Sequence, residues 1–262
     1  MFCYFGYGSN LDLTSLRAKG VEPRASRHGE LPGWRLRFNV QHFFRHEGGV
    51  ANIEPSNDPE DAVQGLVHWC DETALGPLDD AEACGYGYRR IRVPVRVDGA
   101  TVEALAYVGM PEFIDDRCRP SRRYRNILVR GAEAGGLEPE YVARLRAVPV
   151  HEPGEYPPFR HPPGDWPRFD AEQLAARPHC TALYGAVFDM RAARAQHAFL
   201  QRFFGGRDMT LFHLRRMDSS DGSETEAAIR EGRLDLAQRT YLNAYLHEYD
   251  REYQYVGRFL HT

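Results

Sequence analysis

Two short segments hold residues whose types and spacing suit chemistry. They are Tyr4-Phe5-Gly6-Tyr7-Gly8-Ser9-Asn10 and Leu78-Asp79-Asp80-Ala81-Glu82. In the first, an apolar run passes into alternating glycines, a Ser-Asn pair and then a helix-like stretch. Glycine reaches backbone conformations that other residues adopt only at a cost, so such a loop can turn N–H groups toward a ligand. The helix after it adds unpaired N–H groups and the positive end of its dipole. Together with the Ser9 and Asn10 side chains, these donors suit a carboxylate or carbonyl oxygen. The loop lacks both the Gly-Lys-Ser/Thr and the GxGxxG spacing of nucleotide-binding turns. Taken alone, the same residues also serve as an ordinary tight turn closed by a capping Ser or Asn.

The second segment puts three carboxylates within four positions. On a helix Asp79 and Glu82 share a face, and Asp80 points elsewhere. Gly85 and Gly87 stop the helix just beyond Glu82. A carboxylate at a helix C-terminus is disfavoured as an anion, and enclosure by Tyr86 and Tyr88 would raise its pKa further. Both effects suit a group that takes and returns a proton. The competing reading is a solvated acidic helix face.

Other candidates are weaker. Cys84 beside Glu82, and His68 near Cys70, lack the signature of a cysteine nucleophile. His42, His46 and Glu47 have metal-ligand chemistry but sit in a stretch that reads as loop. Six arginines between Arg117 and Arg130 read as a solvated helix face, one of which could anchor a carboxylate. Tyr241, Tyr245, Tyr249 and Tyr253 recur at helical spacing and read as core or interface. Asp218–Ser223 lacks the ligand order of a calcium loop.

The elements that must position these residues can be read in outline. Strands are expected at residues 1–7, 34–40, 50–53 and 62–69, with a hairpin of 88–97 and 101–108 around Asp98-Gly99. Helices are expected at 11–19, with Asn10 or Asp12 near its N-cap, and at 72–83, 121–134 and 139–147. A proline-rich stretch follows. Beyond it the pattern reads as a strand at 182–190, a helix at 191–204, a strand at 210–214 and a helix at 234–249. The fold class is therefore α+β.

The chain has 262 residues, is 42% apolar and carries a net charge of −4, enough for a real core and no general attraction to nucleic acid or anionic membranes. Lys19 is the only lysine among 33 basic residues, which reads as genome composition. Five cysteines without a CxxC pair argue against a disulfide framework or a zinc site. No signal peptide or membrane span is expected, and the expected location is cytoplasmic.

In chain order, several blocks resemble the γ-glutamylcyclotransferase family: Tyr4 to Leu11; Trp34-Arg35-Leu36-Arg37-Phe38; Gly49 to Ile53; Gln64-Gly65-Leu66-Val67; Leu78 to Glu82 with Gly87-Tyr88-Arg89-Arg90; and Pro120 to Tyr124 with Gly131-Ala132 and Gly136 to Tyr141. The resemblance covers roughly residues 2–149. It implies a small mixed β-barrel with peripheral helices. It implies substrate binding by Gly6, Tyr7, Gly8, Ser9 and Asn10, pocket tyrosines Tyr107 and Tyr124, and Glu82 as the catalytic acid/base. The implied reaction cyclises a γ-glutamyl amino acid, peptide or amine to 5-oxoproline and releases the amine, with no metal or other cofactor. Ala83 departs from the glycine often found there in the family, which bears on how closely substrate approaches. A non-catalytic binding module and an amidohydrolase or acyltransferase using the same pocket are the alternatives.

Three regions are expected: a catalytic domain at 1–149, a connector at 150–178 and an α/β C-terminal extension at 179–262. The role of the extension is left open between completing the pocket, dimerising the protein and binding a partner, with a lid or flank that narrows substrate choice preferred. The only partner expected is the small-molecule γ-glutamyl substrate, with no nucleic acid and no membrane; a homodimer is left open.

Overall fold

Apolar runs, alternating with charged residues in some strands, build the strands of residues 1–153. In chain order these are Phe2–Gly6 (β1), Ala25–Pro32 (β2), Trp34–Gln41 (β3), Gly49–Pro55 (β4), Ala62–Cys70 (β5), Tyr88–Val97 (β6) and Ala100–Gly109 (β7). On β6, Val93, Val95 and Val97 point inward while Arg92, Pro94 and Arg96 face solvent. That period-two pattern is what a sheet with one buried face requires. Five strands close a barrel in the order β1, β5, β2, β6, β7, and β7 returns to pair in parallel with β1. The other barrel pairings are antiparallel. β3 and β4 form a separate two-stranded sheet. The Asn52 side chain ties that sheet to the barrel by accepting the Gly109 N–H at 2.9 Å. Phe5, Leu31, Val63, Val67, Val95, Ala104 and Ala106 are fully buried in the core. Each Val or Leu there is worth roughly 1.5–3 kcal/mol.

Helices lie around the barrel: Leu13–Ala18 (α1), Leu75–Ala81 (α2), Arg122–Ala134 (α3) and Pro139–Ala147 (α4). Asp12 caps α1 by accepting the Ser15 N–H at 2.8 Å, and its carboxylate also accepts from Arg130 on α3 at 2.7 Å. Asp12 is therefore the N-cap, and the residues before it form a single 3-10 turn, Ser9–Leu11. The strand at 25–32 is absent from the sequence-based outline. Its side chains are mostly polar, and its inward position at residue 29 is a glycine, because a Cβ there would lie 2.7 Å from Val95.

The structure is a computed structural model that describes residues 1–152, 154–197 and 199–261, and the chain divides between residues 153 and 154. The second unit has its own sheet, with strands Arg168–Phe169 (β8), Cys180–Leu183 (β9), Ala186–Asp189 (β10) and Gln254–Phe259 (β11) in the order β8, β11, β10, β9. Its helices are Ala171–Ala175 (α5), Leu200–Phe204 (α6), Thr210–Leu214 (α7), Glu226–Arg230 (α8) and Leu236–Glu252 (α9). Part of the proline-rich stretch thus supplies β8 and α5.

Three expectations are corrected here. The single strand expected at 182–190 is a hairpin, because Tyr184 and Gly185 both take positive φ (43° and 85°) and reverse the chain. The strand expected at 210–214 is α7. Thr210, His213 and Leu214 share one buried helical face, and Asp208 accepts from the Thr210 N–H and hydroxyl at its start. The helix expected at 191–204 is reduced to a 3-10 turn at Ala195–His197 and to α6; residue 198 lies outside the described residues. Tyr245 and Tyr249 of α9 are core residues. Among the described residues no helix is long and apolar enough to cross a membrane.

The chain is α+β: a small mixed barrel with peripheral helices, extended by a second α/β unit. One contact tests how the barrel unit holds its loop. On α3, a Cβ at Gly131 would lie 2.4 Å from the Asp12 nitrogen and 2.5 Å from the Leu11 carbonyl carbon. In an open helix Gly→Ala gains about 1 kcal/mol; here Gly131→Ala is expected to cost about 2 kcal/mol, because backbone must move. Urea unfolding checks this, and a higher midpoint for the variant would contradict it.

Candidate active site

The loop after β1 needs its glycines for close approach. Neither Gly6 nor Gly8 has a positive φ, which corrects the conformational argument made from sequence. A Cβ on Gly6 would lie 2.9 Å from His68 Nε2, and one on Gly8 would lie 3.0 Å from the Tyr124 hydroxyl. The N–H groups of Leu11 and Asp12 close the 3-10 turn on the carbonyls of Gly8 and Ser9. The turn therefore consumes those two donors and leaves the N–H groups of Gly8, Ser9 and Asn10 outside its ladder.

One pocket gathers Tyr7, Gly8, Ser9 and Asn10 with Glu82, Tyr107 and Tyr124. Of the residues expected to bind substrate, only Gly6 lies off its wall. The pocket also takes in Tyr4, the first residue of the loop segment, Tyr88, expected beside Glu82, and Ala51, which sequence reading gave no role. Counting its open mouth, it holds about 280 Å³, less than two other hollows of about 940 and 980 Å³. Those hollows lack its convergence of phenols on a carboxylate.

Glu82 caps the C-terminal end of α2. Its Oε1 accepts from Asn10 Nδ2 at 2.8 Å and from Lys19 Nζ at 2.9 Å. Lys19 itself caps the C-terminal end of α1, where a cation is favoured. Its side chain is 5% exposed, and that of Glu82 is 15% exposed. Of the two aromatics expected to enclose it, Tyr88 lines the pocket with Glu82, whereas Tyr86 packs on Phe113. Asn10 uses its amide fully: Oδ1 accepts from Lys19 at 2.7 Å, and Nδ2 donates to Glu82 and to the Tyr4 hydroxyl at 2.6 Å.

Ala83 has φ of 50°, the left-handed region, and its carbonyl accepts the Tyr86 and Gly87 N–H groups to end the helix. That backbone is the physical reason a glycine suits this position, and alanine holds it at a cost of about 1 kcal/mol.

The tyrosines brace one another. The Tyr107 hydroxyl donates to Asp79 at 2.6 Å, and the Tyr7 hydroxyl donates to the Tyr107 carbonyl. The Ala51 peptide on β4 is held from both sides, its N–H by the Tyr124 hydroxyl at 3.1 Å and its carbonyl by the Tyr88 hydroxyl at 2.8 Å. Burial raises the pKa of Tyr4, Tyr7, Tyr88 and Tyr107, and the Glu82 charge adds to the effect in each. All four remain phenols at neutral pH.

The remaining candidates are occupied elsewhere. Glu47 is buried against Arg123 and the Ser121 hydroxyl, so the His42, His46 and Glu47 group is a salt-bridged network. Arg117 pairs with Asp115, Arg122 with Glu152 and Arg130 with Asp12; none of the six arginines lines the pocket. All five cysteines are free, and burial pushes the thiols of Cys70 and Cys84 up, away from a nucleophile's range.

His68 on β5 is weighed from sequence only as a neighbour of Cys70. It is fully buried and stacked on Tyr4. Its Nε2–H donates to the Asn10 carbonyl at 2.9 Å, and Nδ1 accepts from the Ser26 hydroxyl at 2.7 Å. The neutral ring thus pins the loop to the barrel, and burial lowers its pKa from 6.5 to about 4. Between those values the folded chain binds fewer protons than the unfolded one. The His68 contribution is therefore fully present above pH 6.5 and lost as pH falls toward 4. From pH 7 to pH 4 the protein is expected to lose roughly 3 kcal/mol more stability than His68→Gln. Urea titrations at both pH values measure this, and equal losses would contradict the pinning role.

Comparison with known proteins follows the same outline. The AIG2-like family matches residues 62–145. The γ-glutamylcyclotransferase of Mus musculus is 31% identical over 160 residues, which span 59% of this chain and 81% of that protein. That of Homo sapiens is 30% identical with the same coverage. A solved structure of a γ-glutamyl cyclotransferase superposes with a TM-score of 0.50 at 28% identity, over 57% of this chain and 89% of the other. With the barrel, the loop and the carboxylate in place, the chain belongs to the γ-glutamylcyclotransferase family.

Proposed function

We propose that the protein cyclises a γ-glutamyl amino acid, peptide or amine to 5-oxoproline and releases the amine, with Glu82 as the acid/base. One observation carries this reading: Glu82 lines the same pocket as the loop residues Gly8, Ser9 and Asn10. The substrate supplies its own nucleophile. Its α-nitrogen attacks its γ-carbonyl carbon, a C–N bond forms to close a five-membered lactam, and the original amide C–N bond breaks. Holding the chain curled makes this an intramolecular step with a high effective molarity. The attacking nitrogen gives up protons and the departing nitrogen gains them, so one carboxylate that takes and returns a proton balances the exchange. The loop N–H groups stabilise the charge that builds on the carbonyl oxygen. The phenols of Tyr4, Tyr7 and Tyr88 supply hydrogen-bonding groups that do not compete for the proton. The step as written needs no metal or nucleotide.

A panel of γ-glutamyl amino acids, peptides and amines, read by mass spectrometry, tests the reaction. Formation of 5-oxoproline is expected. Release of free glutamate would instead identify a hydrolase, and binding without turnover a binding module. Glu82→Gln is expected to lower kcat by about 10²- to 10⁴-fold with the fold intact. Near-normal turnover in that variant would contradict the role of Glu82.

A further inference from the structure

We infer that Lys19 is the positioning residue for Glu82: it fixes one carboxylate oxygen, compensates the buried charge and leaves the other oxygen to exchange protons with substrate. The kinetic half of this inference rests on the cyclotransferase reading; the structural half stands on geometry alone.

Composition gives the first argument. The protein uses arginine for every basic side chain except this one. At this position the acceptors call for an ammonium, because three oxygens converge on a single nitrogen. They are Asn10 Oδ1 at 2.7 Å, Glu82 Oε1 at 2.9 Å and Ser9 Oγ at 3.4 Å. An ammonium directs three donors outward from one point, whereas a guanidinium is a flat fork suited to bidentate partners. What composition alone presents as a leftover lysine is thus a residue with a defined task.

Charge gives the second. Glu82 sits at the helix end where an anion is disfavoured, and its side chain is 15% exposed. The groups facing it are the phenols of Tyr4, Tyr7, Tyr88 and Tyr107 and the Asn10 amide, all neutral. Asp79 lies on the same helix, engaged by Tyr107 and, at 3.5 Å, by Arg90. Among the described residues, Lys19 is the only cation in salt-bridge contact with Glu82.

The division of the two oxygens gives the third. Lys19 and Asn10 both donate to Oε1, and among the described residues no hydrogen bond reaches Oε2. An anchored Oε1 removes the freedom of the carboxylate to swing, and Oε2 stays available for the proton in transit. Holding an acid/base group in one geometry is where orientation contributes to rate.

Because the chain has one lysine, lysine-selective ¹⁵N labelling of tag-free protein yields a single side-chain ammonium signal. That signal is expected to be sheltered from solvent exchange and to shift in Glu82→Gln. A signal unmoved by E82Q overturns the coupling, whether or not the protein turns over any γ-glutamyl compound. The kinetic arm uses Lys19→Met and Lys19→Arg, each checked by thermal unfolding. K19M is expected to lower kcat about 100-fold with KM within about threefold. It should also move the acidic limb of the kcat/KM profile to higher pH, since an uncompensated carboxylate holds its proton more tightly. K19R keeps the charge and is expected to recover kcat to within about tenfold of the parent. A folded K19M with unchanged kcat and pH profile, or a folded K19R as impaired as K19M, overturns the positioning role. Absence of 5-oxoproline from the unmodified protein would sink the cyclotransferase reading and leave the labelling experiment to decide the coupling.

Discussion

The Lys19 ammonium and the Glu82 carboxylate sit 2.9 Å apart, where neither charge could stay alone at small cost. Removing one partner of a buried pair typically costs 3–5 kcal/mol, because the other is left uncompensated. Much of the barrel unit is arranged around keeping these two together. Each stands at the C-terminal end of a short helix, α1 for the lysine and α2 for the glutamate. The lysine is favoured there and the glutamate is not. The pair therefore turns one unfavourable placement into a site with a fixed, charged oxygen facing a pocket of neutral phenols.

The rest of the unit holds that pair in register. His68 ties the loop to β5 through the Asn10 carbonyl, while Asn10 reaches through its amide to Lys19, Glu82 and Tyr4. Asp12 caps α1 and accepts from Arg130, and Gly131 lets α3 rest on the backbone of the same turn. Against Gly8 of the loop, Tyr124 from α3 and, with it, Tyr88 from β6 grip the backbone of Ala51. The loop, both helix ends and β4 are thus fixed by side chains that are mostly buried themselves. Such bracing pre-organises the pocket around the Glu82 carboxylate.

Much of this was legible before the structure. The glycine-containing loop, the Asp79 and Glu82 face and the hairpin at Asp98-Gly99 follow from local patterns. What escaped did so for physical reasons. β2 carries few apolar residues and uses a glycine at an inward position, so the alternating signal is missing. Thr210–Leu214 is five residues of strand-like composition, too short for periodicity to separate strand from helix. Lys19 and His68 act through contacts with residues far from them in sequence, and nothing in their immediate neighbours marks them. Gly6 and Gly8 were singled out for their backbone freedom; the structure gives neither a positive φ, and it brings His68 and Tyr124 close to where a Cβ would lie. Ala83 shows the converse: its left-handed φ explains a preference for glycine that resemblance could only record.

The central claim is that the loop backbone and Glu82 act on one bound γ-glutamyl group. A crystal structure with 5-oxoproline, the expected product, tests it most directly. The lactam carbonyl oxygen should lie about 3 Å from loop N–H groups of Gly8 to Asn10, and the ring nitrogen about 3 Å from a Glu82 carboxylate oxygen, with Lys19 still on Oε1. Product bound in another hollow, or seated in this pocket with its ring nitrogen beyond the reach of Glu82, would contradict it.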